Sequence, residues 1–256
     1  MKKTIISAIR NEEYLLPWWL EHHKKMFDHG IIVNCECTDN SINLVKEICP
    51  TWDIIDSKYN YFAADENDIE VHSIEESIVG WRIFLNTTEF LVGDLSCLEE
   101  DNFQESYVDM NTSGAPVTTG CGIPTMVMVD NEPDNMPLHH KSLFEQKFYG
   151  IHYNEGAFPV RQSRIIHNQI GYKYGLGRHY RGYNTNKLLI LWYGWSPYNE
   201  ITKKRKLDIQ KRIPQTDFNR GFCLEHRVSL EQLEDQYLNR FLPMSRDLSE
   251  DLKPFI

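Results

Sequence analysis

The sequence lacks the marks of several large protein classes. No apolar run approaches the roughly 20 residues of a membrane-spanning helix. The apolar stretch after Met1-Lys2-Lys3 reaches Arg10 and Asn11 too soon to be the core of a signal peptide. Basic residues are in the minority, 27 Lys plus Arg against 37 Asp plus Glu, for a formal charge of −10. That balance argues against nucleic acid as a partner and leaves any anionic ligand to a local basic site. The six cysteines contain no Cys-x-x-Cys pair, which favours reduced thiols in a cytoplasmic protein. Cys35-Glu36-Cys37 has no second pair nearby to complete a four-ligand site. A Walker phosphate loop, a zinc-protease helix and a nucleophile elbow are all missing, and His22-His23 and His139-His140 lack the i, i+4 spacing of helical metal pairs.

What is present is an apolar content of 41% over 256 residues, enough for one large core. Lys3 to Ile9 reads as a buried strand ended by polar Arg10-Asn11-Glu12-Glu13. Pro17 suits the first turn of a helix reaching about Met26, with Trp19, Leu20, His23 and Phe27 on one face. Ile31 to Val33 is a second strand, and Thr38-Asp39-Asn40-Ser41 caps a helix that Pro50 stops. A third strand at Trp52 to Ile55 precedes an acidic helix from Asp65 to Glu76, whose charges read as a solvated face and whose apolar positions continue to Trp81. Arg82 to Leu85 and Glu89 to Val92 flank the polar triplet Asn86-Thr87-Thr88. Alternating strands and helices predict a mostly parallel sheet with its ligand crevice beyond the carboxyl ends of the strands, where Asn11, Asn34 and Asn86 fall. From Leu95 to about Asn135 the pattern is weak and reads as loops with a few strands, whereas Leu188 to Tyr193 is a strong strand and the chain from Asn199 onward is helical and basic.

Three ordered blocks carry a resemblance. They are Ile9-Arg10-Asn11-Glu12-Glu13-Tyr14-Leu15 with Trp18-Trp19-Leu20-Glu21-His22-His23, then Ile31 to Ser41, then Trp81 to Val92. Together they resemble family 2 glycosyltransferases and the related family 92-like group over residues 4 to 94, with a weaker echo at Gly177-Arg178-His179 and Leu189 to Tyr193. The resemblance implies an α/β fold of GT-A type, a mixed, mostly parallel sheet flanked by helices. Residues 1–195 would form the nucleotide-sugar-binding domain and 196–256 a helical C-terminal extension packed on it. It implies transfer of a sugar from a nucleotide-sugar donor to a glycan or other hydroxyl acceptor, with inversion, in cytoplasmic glycan biosynthesis. The alternative is a catalytically silent GT-A module that binds nucleotide, glycan or protein.

The residues implied to bind the nucleotide-sugar are Ala8, Arg10, Asn11, Glu12, Asn34, Asp39, Asn86, Thr88, Arg178 and Arg181. Glu155 is the candidate base, with Asp130 and Glu132 as rivals, and Glu89 and His179 are candidate ligands for a divalent cation, Mn²⁺ or Mg²⁺. The chain departs from the family where it matters most. Asn34 replaces an acidic residue, and Asn86 and Thr88 replace the two carboxylates of Asp-x-Asp that hold the cation. Neutral oxygens bind such hard cations weakly. Arg178, His179 and Arg181 could then neutralise a diphosphate directly.

Local chemistry leaves other readings open. Asn11 and Glu12 also suit a turn that caps the next helix, and capping alone accounts for Asp39. Glu89 serves equally as a ligand-orienting group or as a partnered core acid. Lys203-Lys204-Arg205-Lys206 with Lys211-Arg212 reads as a solvated helix face, with an anionic acceptor or peripheral membrane contact as the functional alternative.

Overall fold

The computed structural model describes residues 1–62, 65–100, 120–155, 164–171, 177, 179 and 185–256. Apolar runs too short for helices make the strands of the first sheet: β1 (Lys3–Ile9), β2 (His29–Asn34), β3 (Asp53–Asp56), β4 (Trp81–Phe84), β6 (Gly120–Ile123) and β9 (Arg164–His167). Their order is β3-β2-β1-β4-β9-β6. The first four are parallel, with Ile9 opposite Asn34 and Asn34 opposite Asp56, and β9 and β6 add antiparallel strands beside β4. Ile5, Ile6 and Ile9 of β1 are all buried, as expected for a strand covered on both faces.

A second sheet is built from β5 (Glu89–Gly93), β7 (Thr125–Val129), β8 (Tyr149–Ile151), β10 (Leu188–Trp195) and β11 (Arg246–Asp247), in the order β11-β8-β7-β10-β5. β10 runs parallel to β7 and antiparallel to β5. The architecture is thus the expected mixed α/β one, a parallel run extended by antiparallel strands and flanked by helices. No helix among the described residues is long and apolar enough to cross a membrane.

Helix α1 (Leu16–His23) carries Pro17 in its first turn and buries Trp18, Trp19, Leu20 and His23. The Trp19 indole donates to the Glu89 carbonyl at 2.9 Å, tying α1 to β5. Gly30 in β2 passes so near the Trp52 ring that a Cβ there would lie 2.2 Å from it. Helix α2 (Ser41–Ile48) follows β2, α3 (Glu66–Glu75) follows β3, and the short α4 (Leu143–Gln146) precedes β8. The acidic face of α3 is not wholly solvated. Glu70 and Glu75 are buried, and the Glu70 carboxylate accepts from the Ser57 hydroxyl and the Lys58 amide, both at 2.6 Å. Trp81 belongs to β4 rather than to the helix, because a turn at Gly80, with φ of +112°, intervenes.

After β10 the chain forms α5 (Glu200–Gln210), α6 (Gln215–Arg220) and α7 (Leu230–Asp235), the last continuing as a π-helical turn, Gln236–Phe241. Leu233, Tyr237 and Phe241 pack against Val127, Val129, Ile151 and Trp195 of the second sheet. β11 then pairs with β8, and the Phe255 carbonyl accepts from the Gly93 amide. The C-terminal segment therefore contributes a strand as well as helices.

Two buried histidines give folding a pH dependence. His23 Nε2 accepts from the Leu91 amide at 3.1 Å, so the proton sits on Nδ1 and is donated to the Trp19 carbonyl at 2.9 Å. Burial, reinforced by the neighbouring His22, holds its pKa well below the ordinary histidine value. Burial first, then the Arg82 charge, pushes His167 down to about 3, although Glu75 Oε2 lies 3.9 Å from its Nε2. Both pKa values are depressed on folding, so the associated stability is complete above the unfolded value of about 6.5 and is lost as pH falls below it. Urea denaturation should show stability declining from pH 6.5 towards 4, with each histidine adding a slope of up to about 1.4 kcal/mol per pH unit. A profile that stays flat down to pH 5 would contradict this.

Candidate functional site

Three neighbouring parallel strands, β2, β1 and β4, end at one edge, and side chains join the segments leaving β1 and β2. Asn11, two residues beyond β1, has φ of +53°, in the left-handed region that asparagine tolerates better than most residues. Its Oδ1 accepts from the Thr38 amide at 2.8 Å and its Nδ2 donates to the Thr38 hydroxyl at 3.1 Å. Glu12 donates its amide to the Ser41 hydroxyl at 2.8 Å, and Asp39 accepts from the Glu13 and Ser41 amides at 3.1 and 3.0 Å. Asp39 thus serves the start of α2, the capping work its sequence position suggests. Asn34 closes β2 by donating to Asp56 Oδ1 and accepting from the Cys37 amide, both at 2.9 Å. Ala8 lies within β1 opposite Val33 and packs on the cluster containing Ile6, Ile31 and Val33.

Asn11→Ala should cost about 1–3 kcal/mol, combining lost hydrogen bonds with a left-handed backbone that alanine resists. Asn11→Gly should recover the backbone part. Chemical denaturation of the two variants checks this, and equal losses would contradict it.

Glu12 is buried, and its carboxylate receives Arg205 Nε of α5 at 2.8 and 2.7 Å. Asn199, whose side chain caps α5 by accepting from the Thr202 amide, donates its Nδ2 to the Tyr14 hydroxyl at 2.8 Å. The basic run read as a solvated face therefore sends Arg205 inward over the end of β1. The 3-residue spacing from buried Thr202 to Arg205 was the available signal for that face. Arg10 Nη1 donates to the Cys35 carbonyl at 2.9 Å and meets Glu36 at 3.4 Å.

At the end of β4, Asn86 and Glu89 close a tight turn. The Asn86 carbonyl accepts from the Glu89 amide at 2.8 Å, and the Glu89 carboxylate accepts from the Asn86 amide at 2.9 Å. Thr88 is buried, and its carbonyl accepts from the Tyr193 amide. Glu89 has no exposed surface, and Arg164 of β9 donates Nε to its two oxygens at 3.1 and 3.0 Å. This is the partnered core acid, and the pair joins the two sheets because Glu89 opens β5 and Arg164 opens β9. Arg164 continues to the Gly177 carbonyl at 2.7 Å, and the Gly177 amide donates to Asp68 of α3 at 2.7 Å.

The donor set at this strand end does not suit a divalent cation. Asn86 and Thr88 offer neutral oxygens, Glu89 is committed to Arg164, and no group of three or more His, Cys, Asp or Glu among the described residues is placed to hold a metal. His179 is described next to Gly177, with its ring 3.0 Å from a Cβ placed there, whereas Arg178 and Arg181 lie outside the described residues. Glu155 follows β8 of the second sheet, and Arg246 Nε donates to its carboxylate at 2.8 Å. Its rival Asp130 is buried between Lys147 and the Tyr198 amide, and Glu132 binds the Asn135 side chain. Sequence reasoning missed Arg164 and Arg205, whose partners lie 75 and 193 residues away.

Neither a protein-family model nor a curated protein matches the chain. Among solved structures it is similar to TarS residues 1–349 from S. aureus, with 11% identity, a TM-score of 0.37, and coverage of 93% of this chain and 78% of that one. The complexes of the same TarS fragment with UDP and with UDP-GlcNAc give 12% and 10% identity at the same TM-score. Similarity of that size fixes neither the family nor the activity of this chain.

Proposed function

We propose that the chain binds a nucleotide-sugar across the carboxyl ends of β2, β1 and β4 and transfers its sugar, with inversion, to a glycan or other hydroxyl acceptor. The observation that supports this reading is the placement of Asn11, Asn34 and Asn86 at the ends of adjacent parallel strands, where open α/β sheets bind ligands. In this reading Ala8, Arg10, Asn34 and Asn86 line the nucleotide side of the edge. Asn11, Glu12 and Asp39 hold the backbone of that side in shape. Arg178, His179 and Arg181 counter the diphosphate, and Glu155 takes the acceptor proton. A cytoplasmic place in glycan assembly belongs to the same reading. The closed Glu89–Arg164 pair favours a second one, a binding module without transfer, because it withdraws the carboxylate nearest the altered Asp-x-Asp.

A thermal-shift panel of nucleoside diphosphates and nucleotide-sugars, each with Mn²⁺, Mg²⁺ or EDTA, tests binding. A ligand at one hundred times its Kd should stabilise the fold by about 2.7 kcal/mol. Silence from every member at millimolar concentration sinks both readings. Release of free nucleoside diphosphate from the ligand that binds separates them, since the silent module gives none.

A further inference from the structure

The turn that carries His139 and His140 is exposed and yet firmly held. It lies between β7 and α4. Gln146 of α4 accepts from the Leu138 amide at 2.7 Å and donates to the Leu138 and Ser142 carbonyls at 3.0 and 3.1 Å. The buried Trp18 of α1 donates its indole N–H to the Lys141 carbonyl at 3.0 Å, so a second element fixes the same turn. On this support the His139 ring lies flat against Trp18, with centroids 3.8 Å and planes 18° apart. Tyr14 meets Trp18 and His139 edge-on at 5.8 and 6.2 Å.

Tyr14 belongs to the segment leaving β1, and its hydroxyl accepts from Asn199, whose Nδ2 also lies 3.6 Å from Met136 Sδ. The stack therefore sits beside the strand edge at which the nucleotide is proposed to bind. His139 itself is exposed, and no hydrogen bond or ion pair engages its ring among the described residues. Met136 and Leu138 of the same loop are 48% and 50% exposed. Stacking on Trp18 would hold any flat ring in place, whereas histidine adds two ring nitrogens that nothing in the described protein uses. Partial burial lowers the His139 pKa, so near pH 7 the ring is neutral and offers one donor and one acceptor. A flat face with a polar edge, set among exposed apolar side chains, matches a sugar ring, which has an apolar C–H face and a rim of hydroxyls. A hydrocarbon chain would leave the nitrogens unused, and a phosphate is better met by a cation.

We infer that His139, backed by Trp18 and Tyr14, is a stacking platform for a pyranose ring of the glycan acceptor. Naming that sugar as the acceptor rests on the function proposed above; the platform itself does not. His139 is a binding residue and takes no part in the chemical step.

The test applies the full chain, alone and with UDP, to a glycan array with glucosyl, galactosyl, mannosyl and N-acetylhexosaminyl termini, and carries the strongest binder to calorimetry. His139→Ala should weaken that glycan about three- to tenfold, the worth of one ring contact. His139→Phe keeps the flat face and loses the nitrogens, so its affinity should fall between those of the wild type and the alanine variant. It also keeps Trp18 covered, and remains informative if the alanine variant folds poorly. His140→Ala should match the wild type. No glycan bound by the wild type, equal affinity in the wild type and His139→Ala, or His139→Phe no better than alanine overturns the platform. If glycan binding depends on His139 while no nucleotide of the wider panel binds, the platform stands and the nucleotide reading falls. If a nucleotide binds and no glycan does, the nucleotide reading stands and the platform falls.

Discussion

Arg164→Met should lower the stability of the fold by about 3–5 kcal/mol, because it leaves the Glu89 carboxylate buried without its counter-charge. For a chain of this size that corresponds to a fall in melting temperature of roughly 6–20 °C. Both side chains are almost wholly shielded, with 2% of the Arg164 side chain and none of the Glu89 side chain exposed. The pair also bridges the two sheets, so its loss should loosen the turn at Asn86 that Glu89 holds. Adding Glu89→Gln to Arg164→Met should restore part of the stability, since the amide oxygen still accepts from Asn86 and no orphaned charge remains. Urea denaturation with and without EDTA separates this structural role from cation binding. If Glu89 were chiefly a metal ligand, chelation would lower the wild-type midpoint and Glu89→Gln would remove that sensitivity.

Asp130→Ala should have an effect of similar size, about 3–5 kcal/mol, through stranding Lys147 in the core. The Lys147 ammonium donates to Asp130 Oδ1 at 2.7 Å and to the Glu132 carbonyl at 2.8 Å, with only 5% of its side chain exposed. Asp130 also accepts from the Glu132 and Tyr198 amides at 3.1 and 2.9 Å, and its carbonyl accepts from the Tyr237 hydroxyl. Every oxygen of the residue is therefore occupied in fastening β7, the end of β10 and the C-terminal π-helical turn together. Asp130→Asn keeps the acceptors and loses only the charge, so its effect should be smaller. Any loss of activity in Asp130→Ala should follow the loss of folded protein, measured by circular dichroism at the assay temperature. A folded variant devoid of transfer activity would instead make Asp130 the catalytic base.

The N-terminal third of the fold was legible because its signals are local. β1, β2 and β3 are short apolar runs closed by polar residues, Pro17 marks the start of α1, and Pro50 follows the end of α2. The same signals placed Asn11, Asn34 and Asn86 on one edge. What failed to show was pairing over long separations. Glu89 looked equally like a ligand group and a core acid until Arg164 was seen beside it, and nothing in Lys203 to Lys206 singled out Arg205 except a faint 3-residue spacing. β9 was hidden because Arg164-Ile165-Ile166-His167 is short and its flanking charges are neutralised only by distant partners. Glu70 misled for the same reason, since its burial depends on the segment leaving β3.

Hydrogen–deuterium exchange with and without saturating nucleoside diphosphate tests the central claim most directly, because it reports where a ligand binds as well as whether it does. The account predicts slowed exchange at residues 10–12, 34–41 and 86–88 together, with β7 and β8 unchanged. Protection confined to the second sheet, or no protection under conditions where calorimetry detects binding, would contradict a nucleotide site at the carboxyl ends of β2, β1 and β4.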